Sequence, residues 1–155
     1  MTPDQQQTLD AIHKLNDNEF ASFFDTSEIM AFCQIESRFK PHAYRYEPRL
    51  GEGSYGIMQV LESTAQQVDP SIIDPETMYD LETGLRVGMK VARLYWTQLS
   101  ARLHRDPSYE EWCDSYNRGV GGVLREEQLG REPADDAYTK DWINAQKYWV
   151  SQNVD

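Results

Sequence analysis

The sequence has little that suits a membrane protein, a disulfide scaffold or a binder of polyanions. No apolar run approaches the roughly 18 residues that a transmembrane helix needs, and the mean hydropathy is −0.72, so no membrane insertion is expected. Cysteine is scarce: Cys33 and Cys113 fit neither a disulfide framework nor a zinc site, and His13, His42 and His104 lack ligand spacing. Two buried free thiols are the reading preferred over a functional pair. Basic charge is also short, with 15 Lys+Arg against 26 Asp+Glu and a net charge of −11. That balance repels phosphate backbones and anionic lipid surfaces, which argues against nucleic acid as a partner. The opening MTPDQQQTLD has neither a basic n-region nor an apolar h-region, so synthesis in the cytoplasm without a signal peptide is the expectation. Repeats, low-complexity tracts and linker-like breaks are absent, and 155 residues is the size of one compact domain over 1–155.

What is present is helical periodicity. Leu81, Leu85, Gly88, Ala92, Tyr95, Leu99 and Leu103 recur at spacings of three or four, which predicts a long helix over Leu81–Leu103 with one apolar stripe. A first helix is expected to open at Thr2, with Pro3 at the first helical position and Gln5 completing a capping box. A second begins near Asp25 or Thr26 and runs through Phe39 until Pro41 ends it. Another starts at Asp106-Pro107-Ser108, with Glu111 three residues after Ser108, and is stopped or bent by Gly119, Gly121 and Gly122. A last helix spans about Ala134 to Val150, with Tyr138, Trp142, Ala145 and Trp149 on one stripe. The stretch from Pro41 to Asp80 is the least regular. It shows no strand of convincing alternation, only one short extended piece at Tyr55–Leu61.

Glu36 breaks the local rule. It stands seven after Ile29, four after Phe32 and three after Cys33, on the helix face that should be buried. Burial disfavours the charged form of a carboxyl group and holds its proton, as general acid catalysis near neutral pH requires. On the residues alone, a glutamate that reaches solvent or pairs with Arg38 or Lys40 is the simpler reading.

The surrounding text favours the catalytic one. Glu36-Ser37 is followed by Gly53-Ser54-Tyr55-Gly56-Ile57-Met58-Gln59-Val60, then by Ser63-Thr64-Ala65, and later by Ser115-Tyr116-Asn117-Arg118-Gly119. Together these resemble the soluble lytic transglycosylase family, lysozyme-like enzymes that include the goose-type lysozymes. The resemblance covers roughly Ile29 to Tyr148 and keeps the family's block order. It implies a mainly α, lysozyme-like fold. It also implies Glu36 as catalytic acid and Ser37 as the serine that follows it. Gly56-Ile57-Met58-Gln59 matches a Gly-Leu-Met-Gln block whose glutamine lies beside the substrate. Tyr116 and Asn117 match an Ala-Tyr-Asn block whose tyrosine approaches the catalytic carboxyl. Tyr138 is similar to the tyrosine of a late Tyr-Val block, without the Glu-Thr that usually precedes it. Substrate contacts are thus expected from Ser37, Tyr55, Met58, Gln59, Tyr116, Asn117 and Tyr138. Met58 and Tyr116 also fit as core, and Asn117 as a helix-terminal residue.

The chain departs from the family in its loop. Arg45 stands nine after Glu36, where the family usually carries serine, and the loop Arg45–Gly53 looks longer and brings Glu47 and Glu52. A carboxylate about 6.5–9.5 Å from Glu36 would activate water and make an inverting hydrolase. Glu47 is read either as a groove residue or as a strut pairing with Arg45 or Arg49; Glu52, between two glycines, is expected to face solvent. Arg45 is a candidate contact for a substrate carboxylate.

The resemblance implies cleavage of the bond between N-acetylmuramic acid and N-acetylglucosamine in peptidoglycan strands, with formation of a 1,6-anhydro ring and no metal or organic cofactor. A hydrolytic lysozyme and a non-catalytic glycan-binding or virion structural module are the rivals. Without a signal peptide the route to the wall is expected to be phage-like, as a holin-released endolysin or a virion-associated enzyme. A monomer is expected. Lys40, Arg45 and Arg49 suggest a less acidic groove on an acidic body.

Overall fold

Thr2 opens the first helix as predicted: its hydroxyl accepts from the Gln5 amide while the Gln5 side chain returns to the Thr2 amide. The computed structural model describes all of residues 1–155, and helix α1 occupies Pro3–Glu19. Helix α2, Thr26–Ser37, starts at an Asp25 cap with its own capping box to Glu28. It ends two residues earlier than the expected Phe39, because Arg38 and Phe39 both turn left-handed, with φ of 54° and 62°. Their amides return to the Cys33 and Gln34 carbonyls, which satisfies the helix end. The reversal turns Phe39 back into the core, against Trp149.

A small sheet corrects the expectation for the next segment. Strands β1 (Tyr44–Glu47), β2 (Glu52–Tyr55) and β3 (Val60–Leu61) pair antiparallel in the order β1-β2-β3. The expected extended piece Tyr55–Leu61 is instead the last residue of β2, a turn over 56–59, and β3. The register sets Tyr44 opposite Tyr55 and Arg45 opposite Ser54. Alternation therefore puts Arg45 and Glu47 on one face and Tyr44, Tyr46 and Tyr55 on the other.

Helix α3 is Glu62–Val68, and a 3-10 turn at Pro75–Tyr79 leads into α4, Leu81–Leu103, at the predicted bounds. Helix α5, Tyr109–Gln128, opens on the Ser108 capping box with Glu111 and bends at Gly119, whose φ of 77° and ψ of 159° leave the helical region. After a 3-10 turn at Pro133–Asp135, α6 spans Ala137–Ser151, starting three residues later than expected because Asp136, not a residue before Ala134, supplies the capping carboxylate. No helix is long and apolar enough to cross a membrane.

One connected cluster of 30 buried residues forms the core. Phe32 lies at its centre, with ring centroids 5.5 Å from Trp112, 5.2 Å from Trp142 and 4.6 Å from Tyr116. Helix α2 packs most extensively along α6, so the last turn of α2 is set against the first turn of α6. The 56–59 turn rests on α4 at Gly88. A Cβ there would lie 2.4 Å from Met58 Sδ, so only glycine admits this approach. Cys33 and Cys113 are both buried free thiols.

Candidate active site

Glu36 stands in the last turn of α2, a turn with no basic residue. Neither Arg38 nor Lys40 pairs with it; both are exposed, and the side-chain partner of the carboxylate is Tyr138, whose hydroxyl donates to Oε1 at 2.5 Å. Burial raises the Glu36 pKa to about 7, against the opposing pull of the Tyr138 hydrogen bond and the Arg45 charge, with Glu47 adding to the rise. The carboxyl therefore keeps its proton to a higher pH than an exposed glutamate does. Burial also pushes the Tyr116 and Tyr138 hydroxyls well above their ordinary range, with the Glu36 charge adding to the rise. Both remain hydrogen-bond donors at any working pH.

The hairpin and its turn are fastened by side chains expected to touch substrate. Ser37 is buried, and its hydroxyl donates to the Ile57 carbonyl at 2.7 Å. This ties the end of α2 to the 56–59 turn, with the Ser37 hydroxyl engaged inside the protein. Met58 is fully buried against α4, in the core position that the sequence also allowed it. Its carbonyl, however, accepts from the Tyr116 hydroxyl at 2.7 Å. Gln59 has φ of 50°, a conformation costing about 1–2 kcal/mol for a non-glycine residue. Its amide nitrogen donates to the Ala43 and Gly56 carbonyls, each at 2.9 Å, and its oxygen accepts from Ser54 at 3.1 Å. The Gln59 side chain is thus occupied in holding the hairpin.

Arg45 and Glu47 pair with each other, Nε to Oε1 at 2.7 Å, and both act on Glu36. Glu52 corrects a different expectation. It is half-buried, and its carboxylate accepts from the Ser63 amide at 3.0 Å and hydroxyl at 2.8 Å, capping the start of α3. Tyr55 belongs to the opposite sheet face, in an aromatic row with Tyr44 at 5.1 Å and Tyr79 at 5.8 Å. Asn117 is exposed, one residue beyond Tyr116.

The fold thus gathers Glu36, Tyr138, Tyr116, Arg45 and Glu47, with Ser37, Met58 and Gln59 as the frame beneath them. The residues that sequence reasoning passed over are Asp114 and Asp136, which join Arg118 near the bend of α5. The one signal for Asp136 was its place two residues before Tyr138, a helix-capping spacing. No cluster of His, Cys, Asp and Glu suited to holding a metal ion is present.

No curated protein matches the sequence. The family described as the transglycosylase SLT domain matches residues 16–139, which takes in Glu36, the Gly56–Gln59 turn, Tyr116 and Tyr138. A buried glutamate with a raised pKa at a helix end, with a tyrosine on its carboxylate and a glycine-led turn beside it, lies wholly inside that match, and the chain belongs to the transglycosylase SLT family.

Proposed function

We propose that the protein is a lytic transglycosylase that cleaves the β-1,4 bond between N-acetylmuramic acid and N-acetylglucosamine in peptidoglycan, with Glu36 as acid and then base. The Glu36 proton passes to the glycosidic oxygen as the bond from the muramic C1 breaks and positive charge develops on that ring. The carboxylate so formed takes the proton of the same sugar's 6-hydroxyl, whose oxygen closes on C1. The ring is a 1,6-anhydro sugar, no water is consumed, and Glu36 ends protonated as it began. Tyr138 steadies the ionised carboxylate between the two steps through its 2.5 Å hydrogen bond.

The observation that carries this reading is that the other acids of the loop are engaged. Glu47 is bound to Arg45 and Glu52 to Ser63, which leaves Glu36 as the one acid with a raised pKa at the site. A single carboxyl suits intramolecular attack, whereas an inverting hydrolase needs a second one free to activate water.

Mass spectrometry of the muropeptides released from purified wall tests the bond and the product together. Anhydro-muramyl ends, lost in Glu36→Gln, are the expected result. Reducing ends from the wild type would replace this mechanism with hydrolysis through Glu47. Equal release by the wild type and Glu36→Gln would remove Glu36 from the chemistry.

A further inference from the structure

Arg118 directly precedes the bend of α5 and has no part in the steps above. Its Nε donates to Asp114 Oδ1 at 2.8 Å, a second nitrogen lies 3.9 Å from Glu126 Oε1, and the third donates to Asp136 Oδ2. Asp114 precedes the Gly119 bend, Glu126 follows it, and Asp136 is the N-cap of α6. One guanidinium therefore joins three segments, its rigid planar fork holding donors in fixed directions towards them. The bend is also built to admit it: a Cβ at Gly122 would lie 3.2 Å from Arg118 Cγ.

Asp136 divides its carboxylate between two partners. Oδ1 accepts from the Tyr138 amide at 3.3 Å, while Oδ2 holds Arg118. Tyr138 lies in the first turn of α6 beside the buried Thr139, and further along the same helix the larger Trp142 and Trp149, with Ala145, are buried in the core. Loosening the start of α6 thus moves Tyr138 more than it moves the packed remainder of the helix.

We propose that Arg118 is a positioning residue for the catalytic carboxyl: by gripping Asp136 it fixes the start of α6, and with it the Tyr138 hydroxyl on Glu36. The inference rests on the reading of Glu36 as the catalytic acid, but its test needs no turnover. The readout is the titration of the Glu36 carboxyl carbon by 13C NMR in the full chain, with the signal assigned by its loss in Glu36→Gln. The other groups acting on this carboxyl are Arg45 and Glu47 from β1, Tyr116 from α5 and Cys33 from α2 itself, and all stay in place.

Tyr138→Phe removes a hydrogen bond to the ionised form and raises the midpoint by about one pH unit. Arg118→Ala and Asp136→Ser are expected to reproduce at least half of that rise, with Arg118→Lys between them and the wild type. Serine retains a capping oxygen for α6 but is too short to hold Arg118. The pair of variants separates positioning from plain electrostatics. Removing a cation raises a carboxyl pKa through space, removing an anion lowers it, and displacement of Tyr138 raises it in both. A lower melting temperature with an unmoved midpoint in Asp136→Ser overturns the proposal, as does a midpoint that falls. Should Arg118→Ala fail to fold, Asp136→Ser and Arg118→Lys decide on the same criterion. A chain that cleaves no wall yet shows the shared rise would refute the proposed function and leave the positioning role standing.

Discussion

Tyr138 donates its phenolic proton to Glu36 Oε1 at 2.5 Å, joining the first turn of α6 to the last turn of α2 across 102 positions of sequence. The bond favours the ionised carboxylate, while burial favours the neutral acid and prevails, leaving a pKa of about 7. Wall-cleaving activity, which in the proposed mechanism begins from the protonated acid, is expected to fall as pH rises through about 7. Turbidity loss of purified wall, followed across pH, measures it. Activity that climbs steadily to pH 9 would mean that the first step does not need this proton.

The loop charges should move that profile in opposite directions. Arg45 lowers the Glu36 pKa and Glu47 raises it, so Arg45→Ala shifts the descending limb to higher pH and Glu47→Gln shifts it lower. Arg45 is largely exposed, so both shifts should shrink between 0.05 and 0.5 M salt, as the screening length contracts. Shifts of the same sign would show that the pair acts on Glu36 by some route other than charge.

Stability should depend on pH through Glu28, which lies buried near the start of α2. Burial raises its pKa to about 7, with Asp25 and Asp155 adding and the Tyr109 hydroxyl opposing. Because the folded value exceeds the unfolded one, the stability tied to its proton is intact below about pH 4.5 and is lost as pH climbs towards about 7. Glu28→Gln keeps an oxygen for the Asp25 amide, now bound at 3.0 Å, and removes the charge. Its melting temperature is expected to exceed the wild type's by about 5 °C at pH 8, with little difference at pH 4.5. A difference independent of pH would show that the gain has another source.

Gly88→Ala should be costly out of proportion to one methyl group. The new Cβ would meet Met58 Sδ at 2.4 Å and Met58 Cβ at 2.6 Å, an overpacking worth about 1–3 kcal/mol. Calorimetry should show a melting temperature lower by several degrees. Because the Met58 carbonyl anchors Tyr116, turnover should drop at temperatures where the variant is still folded. Unchanged activity at 20 °C would separate the Tyr116 anchor from the chemistry.

Ser37→Ala tests whether that residue is a strut. Losing its hydroxyl leaves the buried Ile57 carbonyl without this donor, at a cost of about 1–3 kcal/mol. The melting temperature should fall while KM for a soluble chitin- or murein-derived oligosaccharide stays the same. A raised KM at unchanged stability would restore Ser37 to substrate contact.

Much of this architecture could be read from local spacing. The Thr2 and Ser108 capping boxes formed as predicted, and α4 has the bounds that its stripe of leucines marked, because caps and periodicity act within a few residues. The sheet was not legible. Its strands are four, four and two residues long, too short for alternation to stand out, and Gln59 holds them together with a side chain whose partners include Ala43, 16 residues away. Glu36 stood out because a carboxyl on an apolar stripe is costly wherever the chain goes. The weaker match at Tyr138 is the residue the fold sets on that carboxylate, a contact fixed by the packing of α2 on α6. Arg118 showed only its i,i+4 spacing from Asp114, since the rest of its meaning depends on Glu126 and Asp136, which lie beyond the bend.

Glu36 occupies the carbonyl end of α2, where the peptide dipoles point their negative ends at its carboxylate and no basic side chain in the turn offsets them. Glu28, in the first turn of the same helix, is likewise held at a pKa of about 7 by burial, so at both ends of α2 desolvation outweighs the direction of the peptide dipoles. Redesigns that graft this acid onto another scaffold should match the depth of its burial as well as the hydroxyl that faces it.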